Sequence, residues 1–271
     1  SIDNCIRTAV RAGMPLELAL RIATLSAADY YCLHDRGIIA PGRCADFCIL
    51  DEGKTFKVSR VYKNGIAVSK KGTAEAEKIE FPKFVCSIPG EDEMKLPSGM
   101  LRVIETIPGE IITEAGIGQE GDEGVQKIIC VDRYRGEGFG VGLIKGLNIK
   151  QGAIATSVSH DAHNIIAAGA SDAEIISAVK AVSEAGGGMT VVIGDETTVL
   201  SLPAGGLMTF KPYEEVLDEM AVLNEALEKT GADKKAFMSL SFMALTVVPH
   251  LKITPRGLFD GDSFSDTDIQ C

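Results

Sequence analysis

Histidine is scarce in this sequence. Four occur in 271 residues, His34, His160, His163 and His250, and no two form an H-x-H pair. A metal centre built on that pair has no place in the chain. The seven cysteines, Cys5, Cys32, Cys44, Cys48, Cys86, Cys130 and Cys271, are odd in number and make no CxxC or Cys/His cluster. That excludes a disulfide framework and a structural zinc site as readings, and it fits the reduced thiols of a cytoplasmic protein. No apolar run approaches the roughly 18 residues of a membrane span, and no signal-peptide pattern opens the chain. Positive charge is also short. With 27 Lys and Arg against 38 Asp and Glu, the net charge is -11, which argues against nucleic-acid binding. A neutral or cationic small molecule stays open. The sequence has no Walker loop, dinucleotide fingerprint or fixed-period repeat.

What is present is ordinary globular chemistry. Apolar residues make up 45% and charged residues 24%, enough for a sizeable core in one large domain or two smaller ones. Glycine, at 29 residues, exceeds its usual share of about 7%, so tight turns are expected.

Three short helices are predicted first. Asp3 is placed to cap a helix carrying Ile6, Ala9 and Val10, stopped by Gly13. Pro15 suits the first turn of a second, and Ser26 is placed to cap a third. Such helices cannot enclose a core alone. Together with a first residue that is Ser rather than Met, they suggest a chain entered partway through. From Gly37 the pattern turns to β. Strands are predicted at 47–50, 56–62 and 66–69, with Asn64-Gly65 as the hairpin turn. The polar stretch 70–80 reads as a linker, so the chain divides into residues 1–75 and 76–271.

The second part reads as α+β, with helices layered on a mostly antiparallel sheet. Strands are expected within 84–88, 100–107, 110–113, 127–133, 139–144, 153–158 and 164–169. Helices are expected at 172–185 and 213–229, with a hairpin between them around Gly194-Asp195. Residues 237–251 read as a helix followed by a strand. Residues 261–271 are polar and expected to fray.

One junction concentrates chemistry. Ser159-His160-Asp161-Ala162-His163-Asn164 lies between two apolar segments, and polar groups crowded between buried elements need partners. Two readings stay open: a pocket wall, in which Asp161 and Asn164 bond a ligand and a histidine moves protons, or a buried hydrogen-bond network. A metal site on His160, Asp161 and His163 lacks a fourth ligand. Arg133, at a strand end, could pair with Asp161 or an anionic ligand, or be a plain exposed arginine. Gly186-Gly187-Gly188 follows a helix and so terminates it, rather than cradling a phosphate.

Two passages carry a family resemblance. Arg36-Gly-Ile-Ile-Ala-Pro41-Gly42-Arg43-Cys-Ala45-Asp46 resembles the passage by which amidohydrolase-superfamily chains leave their metal-bearing barrel for a small β-sandwich. Ser157-Val-Ser-His160-Asp161-Ala-His163-Asn164 resembles the C-terminal domain of bacterial and archaeal adenine deaminases. Val131-Asp-Arg133, Leu202-Pro-Ala-Gly-Gly-Leu-Met208 and Pro249-His-Leu-Lys252-Ile-Thr-Pro-Arg-Gly257 support the match. The resemblance implies the C-terminal portion of an enzyme that hydrolyses adenine to hypoxanthine and ammonia. It makes residues 1–75 the last barrel-type helices plus a sandwich segment. Manganese or iron is implied for a full-length member, but its barrel ligands are absent here, so the chain alone is expected to be inactive. His160, Asp161 and His163 are the candidates for proton chemistry; Asn164, Arg133 and Ser159 are the candidates for binding substrate. Adenine or another purine is the implied ligand, and a homo-oligomer is expected. A non-catalytic purine-binding or oligomerisation module is the alternative.

Overall fold

The computed structural model describes residues 2–51, 56–69 and 79–271. The chain divides into two compact units, Ser1–Ala76 and Glu77–Cys271. The linker expected at 70–80 falls mostly outside the described residues.

In the first unit, α1 (Ile2–Arg11) is followed by a turn at Gly13, whose φ of +101° suits glycine. Asp3 lies inside α1, paired with Arg7 at 2.7 Å one turn on, rather than capping it. Pro15 stands at the start of α2 (Leu16–Arg21), as predicted. Ser26 does not cap a separate helix. Its backbone is helical, because a π-helical turn, Ile22–Ser26, carries α2 directly into α3 (Ala27–Tyr30). The meander forms as expected from β1 (Phe47–Leu50), β2 (Val58–Lys63) and β3 (Ile66–Ala67), in the order β1-β2-β3. Asn64 and Gly65 both take positive φ, 50° and 76°, as a type I′ turn requires. Asp46 fixes that turn by accepting the Asn64 amide at 2.8 Å and pairing with Lys63.

The second unit is built on an eight-stranded sheet. In chain order its strands are β4 (Leu101–Thr106), β5 (Thr113–Gly118), β6 (Val125–Val131), β7 (Phe139–Lys145), β8 (Ala153–Thr156), β9 (Ile165–Gly169), β10 (Gly188–Ile193) and β11 (Glu196–Ser201). Their spatial order is β11-β10-β8-β9-β6-β7-β4-β5, and every pairing is antiparallel except β4 with β7. Residues 110–112 join no strand, the turn lying just before them at 108–109, and β5 begins only at Thr113.

The central strands are apolar at almost every position because both sheet faces are covered. Alternation sends Ile129 and Val131 of β6 to one face and Ile128 and Cys130 to the other. The first face packs against α4 (Asp172–Glu184) through Ile175, Val179 and Val182. Each fully buried side chain of this size contributes roughly 1.5–3 kcal/mol. Ser171 caps α4, its hydroxyl accepting the Glu174 amide and donating to the Glu174 carboxylate. The second face packs against α5 (Tyr213–Thr230), which Gly231 ends at φ +80°, and α6 (Ala236–Ser241). Beside them lies a small antiparallel sheet, β12 (Leu251–Thr254), β13 (Gly257–Asp260) and β14 (Ser265–Asp266).

The tail is not frayed. Arg102 of β4 donates its backbone amide to Ile269 O at 2.8 Å and its guanidinium to the carbonyls of Asp268 and Gln270. Ile269 packs on the core. Among the described residues no helix is long and apolar enough to cross a membrane.

Candidate functional site

The polar junction lies where β8 ends and β9 has yet to begin. Ser157 anchors its start: the hydroxyl accepts the Gly188 amide at 2.8 Å and donates to Gly206 O at 2.6 Å. That ties the loop to the Gly186–Gly188 helix stop and to the 203–208 turn. The loop then closes on itself, the His163 amide donating to Ser159 O at 2.7 Å with His163 at φ +52°. The His160–Asp161 peptide bond is cis.

The clustered side chains do not converge. The His160 amide donates to Ser241 O at 2.8 Å, and its ring stacks on Phe242 with centroids 4.7 Å apart. The His163 ring lies 5.9 Å from that of His160, and its Nδ1 is buried without a partner. Burial holds the His163 pKa below its ordinary value, with Arg133 and His160 adding to the effect and Asp161 opposing it. Ser159 is fully buried, its hydroxyl unpartnered. Asn164 accepts the Arg133 backbone amide at 3.4 Å through Oδ1. Asp161 is exposed, and among the described residues its carboxylate has no hydrogen-bond partner.

This geometry does not fit a metal. Among the described residues no three His, Cys, Asp or Glu side chains group as a metal site. One of the two local imidazoles is committed to stacking on Phe242.

Arg133 is neither the exposed strand-end arginine nor the partner of Asp161. It is 5% exposed, its guanidinium lying between the rings of Phe84 and Tyr134 at 4.5 and 4.8 Å. It donates to Gly205 O at 2.9 Å and Tyr134 Oη at 3.0 Å, while Nε is buried without a partner. Among the described residues it has no carboxylate partner. Tyr134 in turn donates to Ala162 O at 2.7 Å. Arg133 and Tyr134 thus hold the loop from behind.

Asp161, Ala162 and Asn164 open onto a cleft of about 700 Å³ that sequence reasoning missed. Its other walls come from Asp132 and Glu137 and from the β12–β13 hairpin, including Thr254, Pro255 and Arg256. Asp132 is a structural anion: Oδ1 accepts the Tyr134 amide at 3.3 Å, and Oδ2 accepts those of Arg135 and Glu137 at 2.9 and 3.1 Å. Burial works against its charge, but these amides and that of Gly136 outweigh it and hold the pKa below the usual carboxylate value. Arg256 is engaged at Nε and Nη2 by the Asp266 carboxylate, at 2.8 and 3.0 Å. The signal for these walls lay in the Val131-Asp-Arg133 and Pro249–Gly257 matches, which spacing alone does not join.

Residues 106–265 match the adenine deaminase C-terminal domain, and residues 1–68 match the amidohydrolase family. The chain is 45% identical to an adenine deaminase of Methanoculleus marisnigri over 99% of its own length and 53% of that protein's. It is 44% identical to one of Methanoregula boonei, covering 99% of this chain and 50% of that protein. A third, of Geobacillus kaustophilus, is 38% identical over 96% of this chain and 49% of that protein. The chain spans about half the length of the curated relatives it matches. Because the C-terminal domain match takes in the sheet from the end of β4 onward, the three covering helices and the cleft, the chain belongs to the adenine deaminase C-terminal domain family.

Proposed function

We propose that this chain is the C-terminal portion of an adenine deaminase, acting with a metal-bearing amidohydrolase portion in the hydrolysis of adenine to hypoxanthine and ammonia. The observation that carries the reading is the identity of 45% with such an enzyme across nearly the whole chain. A manganese or iron ion held by that amidohydrolase portion would supply the activation of water, whose free pKa of about 15.7 leaves too little hydroxide at neutral pH. The described residues do not assemble a donor set for it, so the role assigned to this chain is to position and enclose rather than to activate water. Leu16, Leu18 and Ile22 are exposed on the helices of the first unit, which supports their being made to cover a partner. The same reading places the protein in cytoplasmic adenine catabolism, as a homodimer or larger oligomer.

The test is ammonia release from adenine, with manganese or iron added. The chain is assayed alone and joined to the amidohydrolase portion of the Methanoculleus marisnigri protein. Turnover is expected only in the joined protein. Turnover by the chain alone, or none from a folded joined protein, overturns the reading.

A further inference from the structure

The eight-stranded sheet ends at β11 on one side and at β5 on the other. The two edges are finished differently. Both α4 and α5 pack against β11, whose Leu200 is buried. Beside β5 lies β4, and among the described residues no backbone or side-chain group bonds to the outer side of residues 114–118. An open edge of this kind is a row of unpaired N–H and C=O groups, ready to accept another strand.

Natural sheets guard such an edge with charge, proline, a bulge or a very short strand. β5 runs six residues, Thr113-Glu-Ala-Gly-Ile-Gly118, in unbroken register with β4, and contains neither lysine nor proline. At about 3.4 Å per residue it offers roughly 20 Å of edge. Its single charge, Glu114, stands directly opposite Glu105 of β4, and like charges so placed repel. On the other face Ala115 and Ile117 are both exposed, Ile117 to 62%. Gly116, between them, admits no side chain, because a Cβ there would collide with the Glu105 side chain.

We propose that the β5 edge pairs with the β5 edge of a second copy of this chain, antiparallel about a twofold axis, so that the two sheets become one. A strand is the occupant that an open edge specifies, and the order of side chains makes β5 complementary to itself. A twofold axis normal to the sheet keeps each face on its own side. With Gly116 on that axis, Ala115 of one copy lies opposite Ile117 of the other, and Ile117 opposite Ala115. Four apolar side chains then meet on one face. Glu114 lies opposite Gly118, so no carboxylate directly faces its counterpart across the seam. The contact closes at two chains, because each gives it the same edge. The proposal rests on the oligomer reading above, to which it gives a surface, and not on the deaminase assignment.

The test is sedimentation velocity of the whole chain between about 1 and 200 μM, with amide exchange of β5 measured at both ends of that range. A monomer–dimer equilibrium is expected, the outward amides of residues 114–118 being protected at the high concentration and fast at the low one. Ile117→Lys sets a charge against Ala115 of the other copy and is expected to weaken dimerisation at least about tenfold. Ala115→Lys is expected to do the same. Both residues are exposed, so each variant is expected to melt at the wild-type temperature when dilute. Leu18→Lys, on the exposed helices of the first unit, is expected to leave the dimer intact. A dimer that survives both β5 substitutions, or that Leu18→Lys breaks while they do not, overturns the pairing and leaves the oligomer reading standing. A monomer at every concentration overturns both. Outer β5 amides that become protected only when the chain is joined to the amidohydrolase portion assign the edge to that portion, and overturn the pairing.

Discussion

The guanidinium of Arg133 occupies the space that a side chain on Gly206 would need. A Cβ there would collide with Nη1 of Arg133 and come within 2.6 Å of the Phe84 ring, and Gly206 sits at φ +77°. Arg133 cannot swing away, because two aromatic rings and the Gly205 carbonyl hold it. Gly206→Ala is therefore expected to destabilise the protein by about 2–4 kcal/mol, from backbone strain and overpacking together. In an Arg133→Ala background the same change should cost about 1–2 kcal/mol less, the Phe84 contact and the strain remaining. Urea unfolding of the four proteins in this cycle measures the coupling. Additive effects would mean that the arginine yields easily.

Lys252 gives a second expectation. It is fully buried, its ammonium donating at 3.2 Å to Ile111 O and at 3.2 Å to Thr113 Oγ1, and among the described residues no carboxylate pairs with it. Burial pushes its pKa down from 10.5 to about 8. The unfolded chain keeps this proton up to about pH 10.5 and the folded chain only to about 8. The penalty for burying the charge is thus complete below pH 8 and is relieved as pH rises from 8 to 10.5. At about 1.4 kcal/mol per unit the drop corresponds to about 3 kcal/mol as an upper limit. Lys252→Met is expected to gain about 1–3 kcal/mol at pH 7, part of the gain being lost with the bond to Ile111. The rise in stability between pH 8 and 10 should disappear in that variant. Unfolding curves at pH 7, 8.5 and 10 decide it.

Asp132 has the opposite sign. Backbone amides hold its pKa below the ordinary carboxylate value, so its contribution is present above about pH 4 and lost as pH falls through the depressed folded value. Asp132→Asn keeps the shape but weakens the acceptors for three amides. It is expected to lose about 1–2 kcal/mol at pH 6 and to unfold over a shallower acid limb than the wild type. Acid titration followed by circular dichroism checks both.

These residues mark where the sequence was legible and where it was not. Strands β6, β8 and β9 could be read because a sheet covered on both faces writes itself as unbroken apolar runs. Asn64-Gly65 could be read because few residues accept that turn. The His160–Asn164 loop could be located, but not its division into histidines that pack and an aspartate and asparagine that face a cleft. That division depends on Phe242 and on the β12–β13 hairpin, far along the chain. Arg133 and Lys252 were illegible for the same reason. A charged side chain reads as exposed unless its cover is known, and theirs comes from Phe84 and Gly205 in one case and from Ile111 and Thr113 in the other. Ser26 misled because a capping residue inside a continuous helix looks the same in sequence as one that starts a helix.

The polar tail was misread on composition, and it supplies the last prediction. Residues 266–271 contain a single large apolar side chain, Ile269, and the rest favours solvent. Pairing reverses the expectation: Arg102 binds the carbonyls of Asp268, Ile269 and Gln270, Gln270 bridges Leu101, and Ile269 packs on the core beside Leu101 and Leu143. Ile269→Ser removes the apolar contact and is expected to cost about 1–2 kcal/mol. Removing residues 267–271 also takes away the backbone bonds and should cost more, about 2–3 kcal/mol. Arg102→Ala should act mainly through the same contacts, so its effect should shrink in the truncated protein. Amide exchange at Arg102 gives an independent reading: protected in the wild type and fast once the tail is gone. If truncation leaves both the melting temperature and that exchange rate unchanged, the tail does not hold β4.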